Sequence, residues 1–152
     1  SVRHLKLHGA LANMASEDEI LARDLYEAAL SVAPDLIVMV LAATAQQDAV
    51  QSLGCKWAGE IFADRAYNDD ATLVDRSKPG AVIHDAALAG ERMVKMVKAG
   101  AILTEGGQTI PAAIDTICLH GDTPEAVDIA RAVKSSLQEA GIALKCFEGH
   151  TG

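Results

Sequence analysis

The chain has 152 residues, half of them hydrophobic and 22% charged, with a formal net charge of −8 at pH 7. This composition excludes general disorder and supplies enough apolar side chains for one α/β domain covering residues 1–152. The negative charge argues against nucleic-acid binding, which requires a basic face to displace counterions.

The hydropathy of the chain predicts a soluble, cytoplasmic protein. No apolar run approaches the ~18 residues that span a bilayer, and nothing resembles a signal peptide. Three widely spaced cysteines without a CxxC pair are typical of free thiols in a reducing compartment. The sequence opens with Ser1-Val2-Arg3 almost directly on a predicted strand, so we expect a piece of a longer polypeptide.

Apolar runs and helix caps alternate along the chain and predict alternating strands and helices. Continuous apolar runs, typical of buried parallel strands, fall at residues 2–7, 36–41, 57–62 and 115–119. Helical segments are bounded by Ser16 and Pro34, Ala45 and Leu53, Asp85 and Gly100, and Thr123 and Gly141. A β-hairpin is expected between Ala101 and Pro111, around two consecutive glycines.

The helix termini and faces give more specific predictions. Residues 16–19 (SEDE) match a capping box, in which a hydroxyl and a carboxylate satisfy backbone amides. Thr123 is expected to cap the last helix, with Pro124 in its first turn. The expected buried stripes are Leu21, Leu25, Ala28 and Val32 in the first helix, Ala89, Met93 and Met96 in the third, and Ala126, Ala130, Val133, Leu137 and Ala140 in the last.

Strand–helix alternation predicts a parallel sheet with right-handed crossovers. Four main strands and a hairpin suffice for an open sheet, but they are too few for a closed eight-stranded barrel of ~250 residues. A long polar connection runs from Ala63 to Gly80. Connections of that length inside a domain are usually functional, so we expect this one to contribute to a site.

Three apolar runs end abruptly in clusters of charged groups, at residues 4–9, 61–65 and 117–122. Ligands of parallel sheets bind where strands end and loops begin. The three clusters are therefore expected to meet at one edge of the sheet and to form a common site.

Four segments of the chain resemble the motifs of a known family. Residues 6–14 (KLHGALANM), 60–67 (EIFADRAY), 73–83 (LVDRSKPGAVI) and 116–124 (TICLHGDTP) are similar, in this order, to signatures of the LamB/YcsF family of 5-oxoprolinase A subunits. The resemblance covers essentially the whole chain. Departures from the family pattern are Leu7 in place of Pro, Ala12 in place of Tyr and Ala71 in place of Gly.

The resemblance implies both a fold and an activity. The family has an irregular β/α barrel of ~250 residues, of the kind seen in polysaccharide deacetylases. Its N-terminal motifs (NCDxGE, CGFHAGD and GAHP) do not occur in this sequence. Either the family's chemistry has been lost, or the chain is the C-terminal part of such a barrel. The resemblance then implies that it acts with subunits B and C, and with ATP as co-substrate, in cleaving the lactam of 5-oxo-L-proline to L-glutamate.

Such a reaction requires cations near phosphate, a base for water and an acid for the leaving nitrogen. Lys6, inside an apolar strand, is the candidate for contacting phosphate or a substrate carboxylate, with a structural ion pair as the alternative. His8 and His120 each precede a glycine at a strand end, and either suits acid–base work or metal ligation. The spacing contains no metal-binding signature, so the metal is unknown.

The remaining candidates are mainly acidic. Asp64 or Asp122 would orient water or a histidine; the alternatives are a loop-pinning pair of Asp64 with Arg65 and helix capping by Asp122. Glu60, within a strand, needs a partner, for which Arg65 and Lys6 are candidates. The candidates for binding substrate or nucleotide are Asn13, Glu60, Arg65 and Arg76, with Asn13 and Arg76 resting on the resemblance alone.

Two other functions remain open. As alternatives to the lactam-cleaving subunit, the chain would be a partner-docking segment without turnover, or part of a metal-dependent amidohydrolase or deacetylase. No P-loop or GxGxxG motif is present, so an ATP site would be of another kind. An uncovered sheet edge and apolar face would favour homo-oligomers.

Overall fold

The computed structural model describes residues 2–151. In chain order its elements are β1 (His4–Lys6), α1 (Gly9–Glu17), α2 (Glu19–Val32), β2 (Ile37–Leu41), α3 (Ala45–Leu53), β3 (Lys56–Phe62), α4 (Ala86–Ala99), β4 (Ala101–Leu103), β5 (Thr109–Pro111), β6 (Thr116–Cys118), α5 (Ala126–Glu139) and β7 (His150–Thr151). They form two units. The first contains the chain up to Glu60, residues 112–116 and the segment from Phe147 onward; the second contains Ile61–Pro111 and Ile117–Cys146.

The first unit is built on parallel strands, as the alternation of elements predicts. β1 pairs with β2 and β2 pairs with β3, both in parallel. All five residues of β2 are buried, which explains its continuous apolar run. One antiparallel strand that was not predicted, β7, pairs with β3. The core beside this sheet is an apolar cluster that includes Ala22, Tyr26, Val38, Val40, Val50 and Trp57.

The predicted capping box at residues 16–19 is wrong. A separate helix, α1, already covers this region, and the Ser16 hydroxyl donates to the Asn13 carbonyl oxygen at 2.7 Å. The cap of α2 is Asp18 instead, whose carboxylate accepts the Leu21 N–H at 3.0 Å. Asp satisfies a first-turn amide as well as Ser does, so the local signal was ambiguous.

The predicted stripe of α2 is only partly correct. Leu25 packs against the core, whereas Val32 is 85% exposed. The buried positions are Ala22 and Tyr26. The Tyr26 hydroxyl donates to Gln46 Oε1 at 3.0 Å, and this partner allows the phenol to be buried.

The second unit pairs α4 with α5 and carries the hairpin formed by β4 and β5. α4 has the predicted cap, because Asp85 accepts the Leu88 N–H at 3.0 Å, and the predicted buried residues Ala89, Met93 and Met96. The hairpin also lies where the glycine pair predicted it, with Gly107 at φ 84°. Glycine adopts this left-handed conformation without steric cost.

The predicted start of the last helix is wrong. α5 begins at Ala126 with Glu125 as N-cap, and no side chain caps it. Its buried residues are Ile129, Val133 and Leu137, so the predicted stripe is correct at Val133 and Leu137 and displaced elsewhere. The buried residues lie on the side of α5 that packs against α4.

The long connection after β3 is ordered and largely buried at its start. Asp64, Arg65 and Tyr67 are all buried. Isolated bridges join Arg65 to Val82 and Tyr67 to Leu73. The segment therefore folds back on itself, with its first residues buried and residues 75–80 exposed.

Candidate active site

The central feature of the second unit is a paired aspartate and histidine. Asp64 follows β3 and His120 follows β6. A backbone hydrogen bond from the Ala63 N–H to the Cys118 carbonyl oxygen (3.0 Å) brings these two strand ends together. His120 Nδ1 lies 2.8 Å from Asp64 Oδ2 and 3.1 Å from Oδ1. The His120 backbone N–H also donates to Asp64 Oδ2, at 3.3 Å. The side chain of His120 is 20% exposed and that of Asp64 is 7% exposed.

This arrangement fixes the chemistry of the imidazole. An ionised carboxylate only accepts hydrogen bonds, so Nδ1 bears the hydrogen and donates a hydrogen bond to Asp64. Nε2 of a neutral His120 then presents a lone pair on the opposite side of the ring. A general base requires this state, in which Nε2 can accept a proton.

Two residues that the sequence analysis missed support the pair. The Phe62 ring stacks on the His120 ring, with centroids 5.5 Å apart and planes inclined by 24°. The Phe62 backbone N–H donates to the buried Tyr67 hydroxyl at 2.7 Å. Both aromatics lie within the segment EIFADRAY, but only tertiary contacts reveal their role.

In the first unit, Lys6 of β1 forms an ion pair with Glu60 of β3. The Glu60 side chain is 5% exposed and that of Lys6 is 28% exposed. β2 lies between the two strands, with Lys6 in register with Met39 and Glu60 with Leu41. The lysine therefore reaches across the central strand, and it is one of the two partners proposed for Glu60.

Arg65 does not form the predicted pair with its neighbour Asp64. Its guanidinium donates to the carbonyl oxygens of Val74 (2.6 Å) and Ala81 (3.4 Å), which pins the connection after β3. Burial lowers the pKa of Arg65, and the nearby Arg76 lowers it further. Arg65 therefore acts here as a scaffold for the loop.

Arg76 and Asp122 pair with each other at 3.0 Å, both about half exposed. The hydrogen bond from Arg76 lowers the pKa of the Asp122 carboxyl group. Asp122 does not cap α5, whose N-cap is Glu125. The pair joins the long connection to the segment that carries His120.

His8 and Asn13 lie in the first unit and are exposed. His8 is the extended N-cap residue of α1, and its side chain makes no capping bond there. Asn13 lies on α1. The structure thus brings together Lys6 with Glu60, Asp64 with His120, and Arg76 with Asp122. Convergence of all the candidates in one cleft stays a prediction.

A cleft of about 420 Å³ opens beside His120 in the second unit. Its lining comes from the end of β6 and one face of α5: Leu119, His120, Gly121, Ala126, Val127, Ala130, Arg131 and Lys134. Arg131 and Lys134 were not among the sequence candidates. The only feature of the sequence that could have identified them is that they share a helix face with exposed apolar residues.

Within residues 2–151, no group of three or more His, Cys, Asp or Glu side chains is placed to hold a metal ion. Over the same residues, every helix is too short or too polar to serve as a membrane span.

Comparisons with known proteins agree with these motifs. The A subunit of 5-oxoprolinase from Ruegeria pomeroyi is 65% identical over 147 residues, covering 97% of this chain and 58% of the relative. The A subunit from Nitrobacter hamburgensis is 48% identical, with the same coverage. The crystal structure of a lactam utilization protein from Thermus thermophilus superposes with a TM-score of 0.83 at 33% identity, covering 97% of this chain and 58% of that one.

The chain thus spans a little over half the length of the relatives that it matches. The shared fold is a mixed α/β arrangement with a parallel sheet and helices. The sequence profile described as LamB/YcsF family matches residues 1–152. The chain therefore belongs to the LamB/YcsF family.

Proposed function

We propose that the chain is the C-terminal part of a 5-oxoprolinase A subunit, which cleaves the lactam of 5-oxo-L-proline to L-glutamate at the expense of ATP. The names of the relatives support this reaction class. The Asp64–His120 pair is the observation that carries the proposal, since it supplies an oriented base at the end of two strands.

The reaction requires activation of a poor electrophile. In the proposed sequence, the lactam oxygen attacks the γ-phosphorus of ATP, and ADP leaves. Water then attacks the activated carbon as His120 Nε2 takes its proton, with Asp64 stabilising the imidazolium. Collapse of the adduct breaks the C–N bond and leaves an acyl phosphate. A second water hydrolyses this acyl phosphate to the side-chain carboxylate of glutamate and inorganic phosphate. The ring nitrogen takes a proton from the imidazolium and becomes the amine of glutamate.

Lys6 is proposed to contact phosphate or the substrate carboxylate. Its ammonium group is held in place by the buried Glu60, and its side chain is still 28% exposed, so an anionic ligand can reach it. His8, in the same motif, would serve as a second acid–base group, and Asn13 as a substrate contact. Asp122 would act through Arg76, its partner.

The proposal includes the architecture of the whole protein. The segment would complete an irregular β/α barrel with the part of the relatives that lies outside the matched 58%. Subunits B and C would assemble with it in the cytoplasm and supply part of the ATP site. The 152 residues alone are expected to be inactive, because no step proceeds without the nucleotide site.

The test uses the full-length protein in complex with subunits B and C, with ATP-dependent release of glutamate from 5-oxo-L-proline as the readout. His120→Gln and Asp64→Asn should each lower kcat by about 10²-fold or more, the usual contribution of a positioned base. His84→Gln is the matched control, because His84 is exposed and pairs only weakly with Glu125 at 3.4 Å. Full turnover by His120→Gln would overturn the proposal.

A further inference from the structure

The cleft beside His120 has apolar walls that the core of the second unit does not use. Ile129, Val133 and Leu137 form the buried face of α5. The cleft takes a different stripe of the same helix, at Ala126, Val127, Ala130, Arg131 and Lys134. Val127 is 60% exposed there. An apolar patch next to a polar catalytic pair is typical of a ligand site.

The charge of the cleft is opposite to that of the chain. Arg131 and Lys134 are among its lining residues, and none of the eight is an Asp or Glu, although the chain carries a net charge of −8. Arg131 makes one ion pair, to Asp128 at 3.3 Å, with both side chains more than 70% exposed. Pairs of that kind contribute little, so the guanidinium remains available to an anion.

The arrangement of these groups indicates which anion the cleft takes. A triphosphate is usually held by several backbone amides and a cation with carboxylate ligands, and the lining contains one glycine and no carboxylate. A single carboxylate on a small apolar ring needs only a cation and an apolar wall. Arginine suits it best, since its fork binds both carboxylate oxygens.

We propose that Arg131, assisted by Lys134, binds the carboxylate of the lactam substrate in this cleft and thereby holds the ring against Leu119 and Val127 near His120. The inference rests on the proposed function, of which it specifies the substrate subsite. It assigns Arg131 and Lys134 to substrate specificity and leaves phosphate as the proposed ligand of Lys6.

The ligand pair that tests the subsite is 5-oxo-L-proline and pyrrolidin-2-one, the same lactam without the carboxylate. Titrations of the full-length protein, followed by amide NMR, should move the signals of Gly121 and Ala130. The carboxylate-bearing lactam should bind about tenfold or more tightly, as expected for one charge-assisted hydrogen bond. In Arg131→Gln that preference should fall to about twofold or less, and Lys134→Gln should give a smaller loss.

Two surface variants are the controls. Arg23→Gln matches Arg131→Gln, because Arg23 is a half-exposed helix arginine paired with a carboxylate. Lys98→Gln, on α4, matches Lys134→Gln. Both should keep the preference. Equal affinity for the two lactams, an unchanged preference in Arg131→Gln, or shifts at Gly121 and Ala130 with ATP alone would overturn the proposal.

A kinetic arm separates this inference from the proposed function. In the assembled enzyme, Arg131→Gln should raise KM for 5-oxo-L-proline about tenfold while kcat changes less than about threefold. An unchanged KM with normal glutamate release would refute the subsite and leave the lactamase proposal intact. Lack of glutamate release by the wild-type assembly would refute the lactamase proposal whatever the binding data show.

Discussion

Removing the ammonium group of Lys6 is expected to destabilise the first unit strongly. Lys6→Met retains most of the apolar stem but takes this ion-pair partner from the Glu60 carboxylate, which is 5% exposed. Breaking one side of a buried ion pair typically costs about 3–5 kcal/mol. Lys6→Met is therefore expected to lower the free energy of unfolding, whatever its effect on a reaction.

The pH dependence sets an upper limit on this loss. In the variant, the buried Glu60 carboxylate can lose its charge by taking up a proton, and an ordinary glutamate has a pKa of about 4.3. At roughly 1.36 kcal/mol per pH unit, protonation costs about 3.7 kcal/mol at pH 7 and about 1 kcal/mol at pH 5. The variant should thus lose about 3 to 3.7 kcal/mol at pH 7 and at most about 1 kcal/mol at pH 5, so its deficit shrinks as the pH falls.

Urea unfolding at the two pH values measures both numbers. Adding Glu60→Gln to Lys6→Met should recover at least half of the loss at pH 7, since no buried charge remains. Arg23→Met is the control, because its pair with Glu27 is about half exposed and should contribute less than ~1 kcal/mol. A loss below about 1 kcal/mol at pH 7, or an equal loss at both pH values, would show that Lys6 does not stabilise a buried carboxylate.

Three further outcomes test local features of the structure. Ala71 is buried at φ 68°, so Ala71→Gly should raise stability by up to ~1 kcal/mol in urea unfolding, and a loss would contradict backbone strain there. Tyr67→Phe removes the hydroxyl that accepts the Phe62 N–H. It should lower the free energy of unfolding by about 1–3 kcal/mol and shift the NMR signals of the His120 ring. Unchanged signals would show that Tyr67 does not support the Asp64–His120 pair. Cys146 is exposed, whereas burial raises the pKa of Cys55, so a thiol reagent at about pH 7.5 should modify Cys146 first; mass spectrometry showing the reverse order would refute this.

Local chemistry made much of the secondary structure predictable. α3 covers Ala45–Leu53, as predicted, and ends at Gly54, which adopts φ 64°. α4 follows its Asp85 cap, and the hairpin follows its glycine pair. In each case the deciding contact lies within a few residues, so the sequence contains the whole signal.

Helix starts were wrong where two local solutions compete. Ser16 and Asp18 are both good caps, and the packing of α1 decides for Asp18. Thr123 lost its predicted role because α5 begins later, where its buried face meets α4. Capping is worth about 1 kcal/mol, less than the burial of one large apolar side chain, so packing prevails.

The sequence by itself determined the family, the parallel strands and the identity of most candidate residues, because strand runs and motifs are local patterns. Only the tertiary structure decided the partners. Asp64 pairs with His120, which is 56 residues away, and not with the adjacent Arg65. The physical reason is that consecutive residues near a strand end point in opposite directions, whereas neighbouring strand ends bring distant side chains into contact, here at 2.8 Å.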